Sequence, residues 1–295
     1  MEIAKDLRDF LMTRRAKIAP DQVGLVSGRR RRVPGLRREE VAMLAGVSTE
    51  YYVQIERGQV AGVSDEILHS IATALQLDDV ETTHLFDLAR AATKHAGKRP
   101  GRVRSSRQTV PEGLQTLLDS MVTAPAIVQN GHLDIVAANA LGRALYSEVF
   151  DRTTGTPNLA RFIFLDDRAD ETFPDWEKAA DDSVALLHVE AARAPYSKDV
   201  TGLVGALATR SEPFRTRWAE HDVVAHRRGT KTFHHQAVGD LTLRFEGLDV
   251  LGSAGLTLIG YTAEPGSPSQ EALQLLASWA ATEKTRQGEN PVPAD

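Results

Sequence analysis

Residues 36–58 read LRREEVAMLAGVSTEYYVQIERG, and their spacing sets the reading of everything around them. Gly46 divides the stretch. Before it, Arg37 to Ala45 favours helix, with Val41, Ala42 and Ala45 at offsets that share one face. After it, Ser48 is a good N-cap, and a second helix is expected from Thr49 to Arg57 with Tyr52 and Ile55 inward. Gly46 sits at a turn expected to need positive φ, and Gly58 stands where helix ends often need a left-handed residue. Val41, Ala45, Val47, Tyr52 and Ile55 would pack inside the elbow. Small Ala42 lets the helices cross closely.

Two short helices joined this way form a helix-turn-helix, whose second helix lies in the major groove of DNA. An αα-hairpin in a bundle is the plainer reading, but the surrounding arginines favour DNA. Base-reading candidates are Thr49, Glu50, Tyr51 and Gln54, with Ser48 and Arg57 at the helix ends. Thr49 can offer its methyl to thymine, and Gln54 can pair with adenine. Glu50 needs cytosine N4 or a neighbouring Arg, and Tyr51 is expected on a sugar or phosphate. Arg29, Arg30, Arg31 and Arg32 form a basic run that, unless merely solvated, contacts phosphate or enters the minor groove. Arg37 and Arg38 follow. Arg38 opens the first helix of the motif and is expected on a phosphate.

The net charge of -5 hides an asymmetry. Residues 1–107 hold 19 Lys+Arg against 14 Asp+Glu, and residues 108–295 hold 16 against 26, so the halves carry +5 and -10. A basic front on an acidic body suits one half for a polyanion. The absence of cysteine excludes a disulfide framework and a thiolate nucleophile. The N-terminus has no apolar signal core, and no run reaches membrane-spanning length, so a cytoplasmic protein on nucleoid DNA is expected.

Outward from the motif, Ile3, Leu7, Phe10 and Leu11 recur at helical spacing over residues 2–17. Ser64 and Asp78 cap two further helices, and Glu81 completes a capping box with Asp78. The result is an all-α domain of five helices over 1–93. Residues 94–109 are a basic Gly/Pro/Ser-rich linker. From Pro111 a helix is followed by β-favouring Ala126–Gln129 and Leu133–Ala137 around Asn130-Gly131, a hairpin signal. Asn139 caps a helix, and residues 157–228 are helical and aromatic. The end gives three strands, in which Leu241, Leu243 and Phe245 alternate with polar partners. Hairpin, helices and meander make a five-stranded antiparallel α+β sheet in PAS-like order over 110–284, with a disordered tail over 285–295.

Taken together, RRRVPGLRREEVAMLAGVSTEYYVQIERG, LDIVAANALGRALY, NLARFIFLD, FPDWEKAADDSVALL, RWAEHDV and YTAEPGSPS make the chain resemble Xre-type helix-turn-helix regulators with an MmyB-like C-terminal ligand-binding domain. The resemblance covers nearly the whole chain. It implies an N-terminal DNA-binding domain and a PAS-like domain for a small apolar ligand such as a fatty acid. Tyr52 departs from the wider Xre pattern, which has an aliphatic residue there.

The aromatic residues Phe162, Trp176, Trp218 and Phe245, with Leu186 and Leu258, could line an apolar interior or fill a core. His235 and Arg244 are the candidates to meet a ligand carboxylate. His221, His226, His234 and His235 lack metal-ligand spacing, and no phosphate loop or nucleophile elbow is present, so no metal, cofactor or catalysis is expected. The reading is a repressor binding a palindromic operator as a homodimer. Its alternative is constitutive DNA binding with a C-terminal dimerisation or docking module.

Overall fold

Helix α1 (Ile3–Lys17) forms where the apolar spacing placed it, burying Ile3, Leu7, Phe10 and Leu11. The computed structural model describes residues 3–25, 33, 35–94, 109–151, 155–220 and 228–289. After a 3-10 turn at Pro20–Val23 come α2 (Arg38–Leu44), α3 (Thr49–Glu56), α4 (Asp65–Ala74) and α5 (Asp79–Lys94). Val41, Ala42, Ala45, Tyr52 and Ile55 are all buried in one core with Leu7, Phe10, Leu68, Ile71 and Leu85. Each large apolar side chain taken from water contributes about 1.5–3 kcal/mol.

Local chemistry sets the helix boundaries. Ser48 Oγ accepts from Tyr51 N–H at 3.1 Å, and Ser64 Oγ accepts from Ile67 N–H at 3.4 Å. Asp78 Oδ1 accepts from Glu81 N–H at 2.8 Å, while Glu81 Oε2 accepts from Asp78 N–H at 3.0 Å. Such caps satisfy amides that the helix cannot pair itself. Gly46 turns the chain between α2 and α3 at φ 68°.

The second region begins with α6 (Glu112–Ser120), β1 (Ala126–Asn130), β2 (Ile135–Ala138), α7 (Ala140–Leu145) and α8 (Ser147–Asp151). It continues through α9 (Leu159–Leu165), α10 (Ala169–Thr172), α11 (Trp176–Arg193), α12 (Lys198–Arg210) and α13 (Glu212–Glu220). It ends with β3 (Arg228–His235), β4 (Gly239–Asp249), β5 (Leu256–Thr262) and α14 (Pro268–Glu289). The sheet order is β2-β1-β5-β4-β3, antiparallel throughout. One face carries Ala126, Val128, Leu256 and Leu258 against Leu118 of α6. The other carries Phe233, Leu243, Phe245 and Tyr261. Helix α7 lies close on β1: a Cβ at Gly142 would run into the carbonyl oxygen of Ala126. Gly142→Ala is therefore expected to cost about 1–3 kcal/mol by overpacking, read as a lower urea midpoint.

The described chain packs as two units, Met1–Ser105 with Val184–Ala225, and Ser106–Ser183 with His226–Asp295. Val189 and Ala192, late in α11, join the core around α1 to α5. Helix α14 runs to Glu289, past the expected start of a disordered tail at Thr285. The hairpin loop is longer than Asn130-Gly131 alone: Leu133 takes φ 68°, and the Asn130 side chain accepts from Asp134 N–H at 2.9 Å. Arg29 to Arg32, linker residues 95–108, His221, His226 and the tail from 290 lie outside the described residues. Among the described residues no helix is long and apolar enough to cross a membrane.

Candidate DNA interface and ligand-binding interior

On α3, Tyr52, Ile55 and Glu56 turn inward, which leaves Thr49, Glu50, Gln54 and Arg57 exposed on the opposite face. Ser48 is exposed at the start of the helix. Tyr51 is half-buried, its ring packed against the domain core. Arg37 is exposed at the N-cap of α2, with Nη1 3.2 Å from Glu39 Oε1.

Arg38 keeps 49% of its side-chain surface, yet its Nε donates to Glu56 Oε2. The other oxygen, Oε1, accepts from Arg15 Nε at 3.0 Å, and Arg15 Nη1 donates to the Leu36 carbonyl at 2.8 Å. Glu56 itself is 1% exposed. Burial first, then Glu56, pushes the ionisation of the neighbouring Tyr52 hydroxyl above its ordinary value. One buried carboxylate thus ties α1 to α3 and holds Arg38 at the edge of the candidate interface. Sequence reading missed Glu56. Its place four residues after Tyr52, on the buried face, was the available signal.

The six residues expected to line an apolar interior and the two expected to meet a ligand carboxylate do not share one lining. Leu186 and Trp218 fall in the first unit, where Trp218 stacks on His188 at 3.8 Å between ring centroids. Leu258 lies on the α6 side of the sheet. Arg244 is exposed, 3.5 Å from Glu264, because it alternates with inward Phe245. His235 is buried but already engaged. Its Nδ1 accepts from Ala237 N–H at 3.1 Å, so Nε2 carries the proton and donates to the Ala144 carbonyl at 3.0 Å. Burial lowers its pKa, which favours the neutral ring. Trp176 is half-buried, with its indole N–H on the Ile163 carbonyl at 2.9 Å.

Around Phe162 and Phe245 a different set gathers. Phe162 meets Phe173 edge-on at 6.0 Å, and Phe173 meets Phe233 at 5.7 Å. Phe233 contacts Tyr146 at 5.3 Å and Tyr261 at 5.7 Å, while Tyr261 lies 6.3 Å from Phe245. The hydroxyls of Tyr146 and Tyr261 share a 2.6 Å hydrogen bond. Burial pushes both phenol pKa values up. Lys231 enters this group: its Nζ is 4.4 Å from the Phe173 centroid, 5.6 Å from Phe233 and 5.8 Å from Tyr146. The same two-residue alternation that turns Arg244 out turns Lys231, Phe233 and His235 in.

Two family models match. The MmyB-like transcription regulator ligand binding domain matches residues 110–276, and a helix-turn-helix domain matches residues 22–85. A comparison with curated proteins finds no match.

Proposed function

The chain belongs to the MmyB-like transcription regulators, a helix-turn-helix joined to a ligand-binding domain, and on that premise we propose a repressor whose DNA affinity is set by a small apolar ligand such as a fatty acid. It binds a palindromic operator as a homodimer, with two copies of α3 in successive major grooves about 34 Å apart. The observation that carries the DNA reading is the exposed face of α3 (Thr49, Glu50, Gln54, Arg57) beside Arg37 and Arg38. The aromatic interior supports the ligand reading. Regulation then requires that the ligand bind the DNA-competent and DNA-incompetent states unequally.

Operator selection from a random duplex library, followed by binding titrations at several salt concentrations, tests the DNA reading. Arg38→Ala is expected to weaken every sequence alike and to reduce the salt slope by about 1, while Gln54→Ala relaxes preference at one base pair by about 1–3 kcal/mol. Equal weakening of all sites by Gln54→Ala removes its base-reading role. A selected site without two-fold symmetry removes the dimer. Solvent extraction of the purified protein, with mass spectrometry of what is released, tests the ligand.

A second reading, constitutive DNA binding with a docking module, is favoured by the exposure of Leu117 and Val122 around α6 and of Leu248 on β4. Release of no lipid, together with a stable partner complex, would select it.

A further inference from the structure

We propose that Val53, on the outward side of α3, reads the 5-methyl group of a thymine in the major groove. This inference rests on the DNA reading and adds to it the chemistry of one base pair.

Helical geometry puts Val53 on the presented side. Buried Tyr52, Ile55 and Glu56 mark the inner side of α3. At about 100° per residue, Glu50, Gln54 and Arg57 gather opposite them, and Thr49 and Val53 border that group. Val53 follows Thr49 by four positions and Glu50 by three, and precedes Arg57 by four, so all three are its neighbours on the helix surface. They are exposed, and Val53 is half-exposed among them. Val47 and Tyr51, also half-buried, pack against the core of the unit, and among the described residues Val53 does not join them. Helix propensity gives no reason for it either, since a β-branched side chain is a poorer helix former than alanine or leucine.

A lone exposed valine on an ordinary surface carries no meaning. This one interrupts a polar face at the place where that face would meet base edges. The major groove displays donors and acceptors at every base pair and one apolar group, the thymine methyl. Valine neither donates nor accepts. Laid on guanine N7 and O6, adenine N6 or cytosine N4, it would displace water and return no hydrogen bond. Laid on thymine, it removes two apolar surfaces from water together. Val53 thus discriminates in both directions, by attraction to thymine and by the uncompensated desolvation of the other bases.

The test uses the full chain and the duplex that native protein selects. Each thymine is replaced in turn by uracil, which keeps the pairing edge and O4 and lacks only the 5-methyl group. Native protein is expected to lose about fourfold in affinity at a thymine in each half-site, the loss that corresponds to one buried methyl group. Val53→Ala should bind the unmodified duplex more weakly by a similar factor per half-site, with no further loss at that uracil. Alanine is the better helix former, so the variant keeps the fold. Thr49→Ser removes the other methyl group on this side of the helix, keeps the hydroxyl, and should retain the uracil loss. A structural role for Val53 would instead weaken every duplex alike and leave the uracil loss in place. An undiminished uracil loss in Val53→Ala, its disappearance in Thr49→Ser, or a duplex in which no thymine methyl matters overturns the assignment and leaves the DNA reading standing. Selection of no sequence by native protein removes the DNA reading, and this assignment with it.

Discussion

Glu56→Ala is expected to lower the stability of the helix-turn-helix unit by about 3–5 kcal/mol, the range for breaking a buried ion pair by removing one partner. Glu56 is 1% exposed and binds two arginines that lie far apart in sequence. Arg15 has only 15% of its side-chain surface in solvent, so removal of the carboxylate leaves a charge nearly without water. Its remaining hydrogen bond to the Leu36 carbonyl offsets a part of this. Arg38 is half-exposed and can turn to solvent, which keeps the cost below that of two orphaned cations. Glu56→Gln preserves shape and one acceptor, and should cost roughly half as much. Urea unfolding measures both. A change below about 1 kcal/mol for Glu56→Ala would mean that the pair offsets little more than its own desolvation. The variant also tests the tether on Arg38: at temperatures where it stays folded, DNA affinity should fall for all sequences alike, because the guanidinium is no longer held in place.

The second large effect is expected at Asn139. This side chain is 2% exposed and makes four hydrogen bonds. Its Oδ1 accepts from Gly142 N–H at 2.6 Å and from Ala126 N–H at 3.0 Å. Its Nδ2 donates to the carbonyls of Met121 at 2.7 Å and Ala124 at 2.8 Å. One residue thereby caps α7, fastens the start of β1, and closes the turn after α6. Asn139→Ala leaves four backbone groups to find water. At about 1–3 kcal/mol for each buried group left unpaired, and with losses that do not simply add, a total of about 3–5 kcal/mol is expected. Asn139→Asp keeps the two acceptor bonds, loses both donors and adds a charge, so it should be nearly as damaging. Unfolding followed by the tryptophans should show a lower midpoint for both. A midpoint within error of native would show that water replaces the side chain.

What residues close in sequence do to each other was legible without coordinates. The caps at Ser48, Ser64, Asp78 and Asn139 act within three residues, and each stands where the sequence placed it. The elbow of the helix-turn-helix is similarly local: Gly46 supplies φ 68°, and the offsets of Ala42, Tyr52 and Ile55 follow from 3.6 residues per turn. The run of elements, hairpin then helices then meander, gave a five-stranded antiparallel sheet, while the order of its strands, β2-β1-β5-β4-β3, came from the structure. Even the outward direction of Arg244 was available, since the alternation that buries Phe245 exposes its neighbour.

Tertiary structure alone decided which distant residues meet. Nothing near Glu56 in sequence announces Arg15, 41 residues away, because that pairing depends on how α1 crosses α3. Nothing in KTFHH shows that Lys231 stands among Tyr146, Phe173 and Phe233, since those rings arrive from α7, α10 and the same strand once the sheet has closed. The division of α11 between two units is of the same kind: its apolar residues show that it is buried, and only packing chooses the partner. Side-chain periodicity reports a face and not what covers it, whereas charge pairing and ring clustering depend on distances that the whole chain sets.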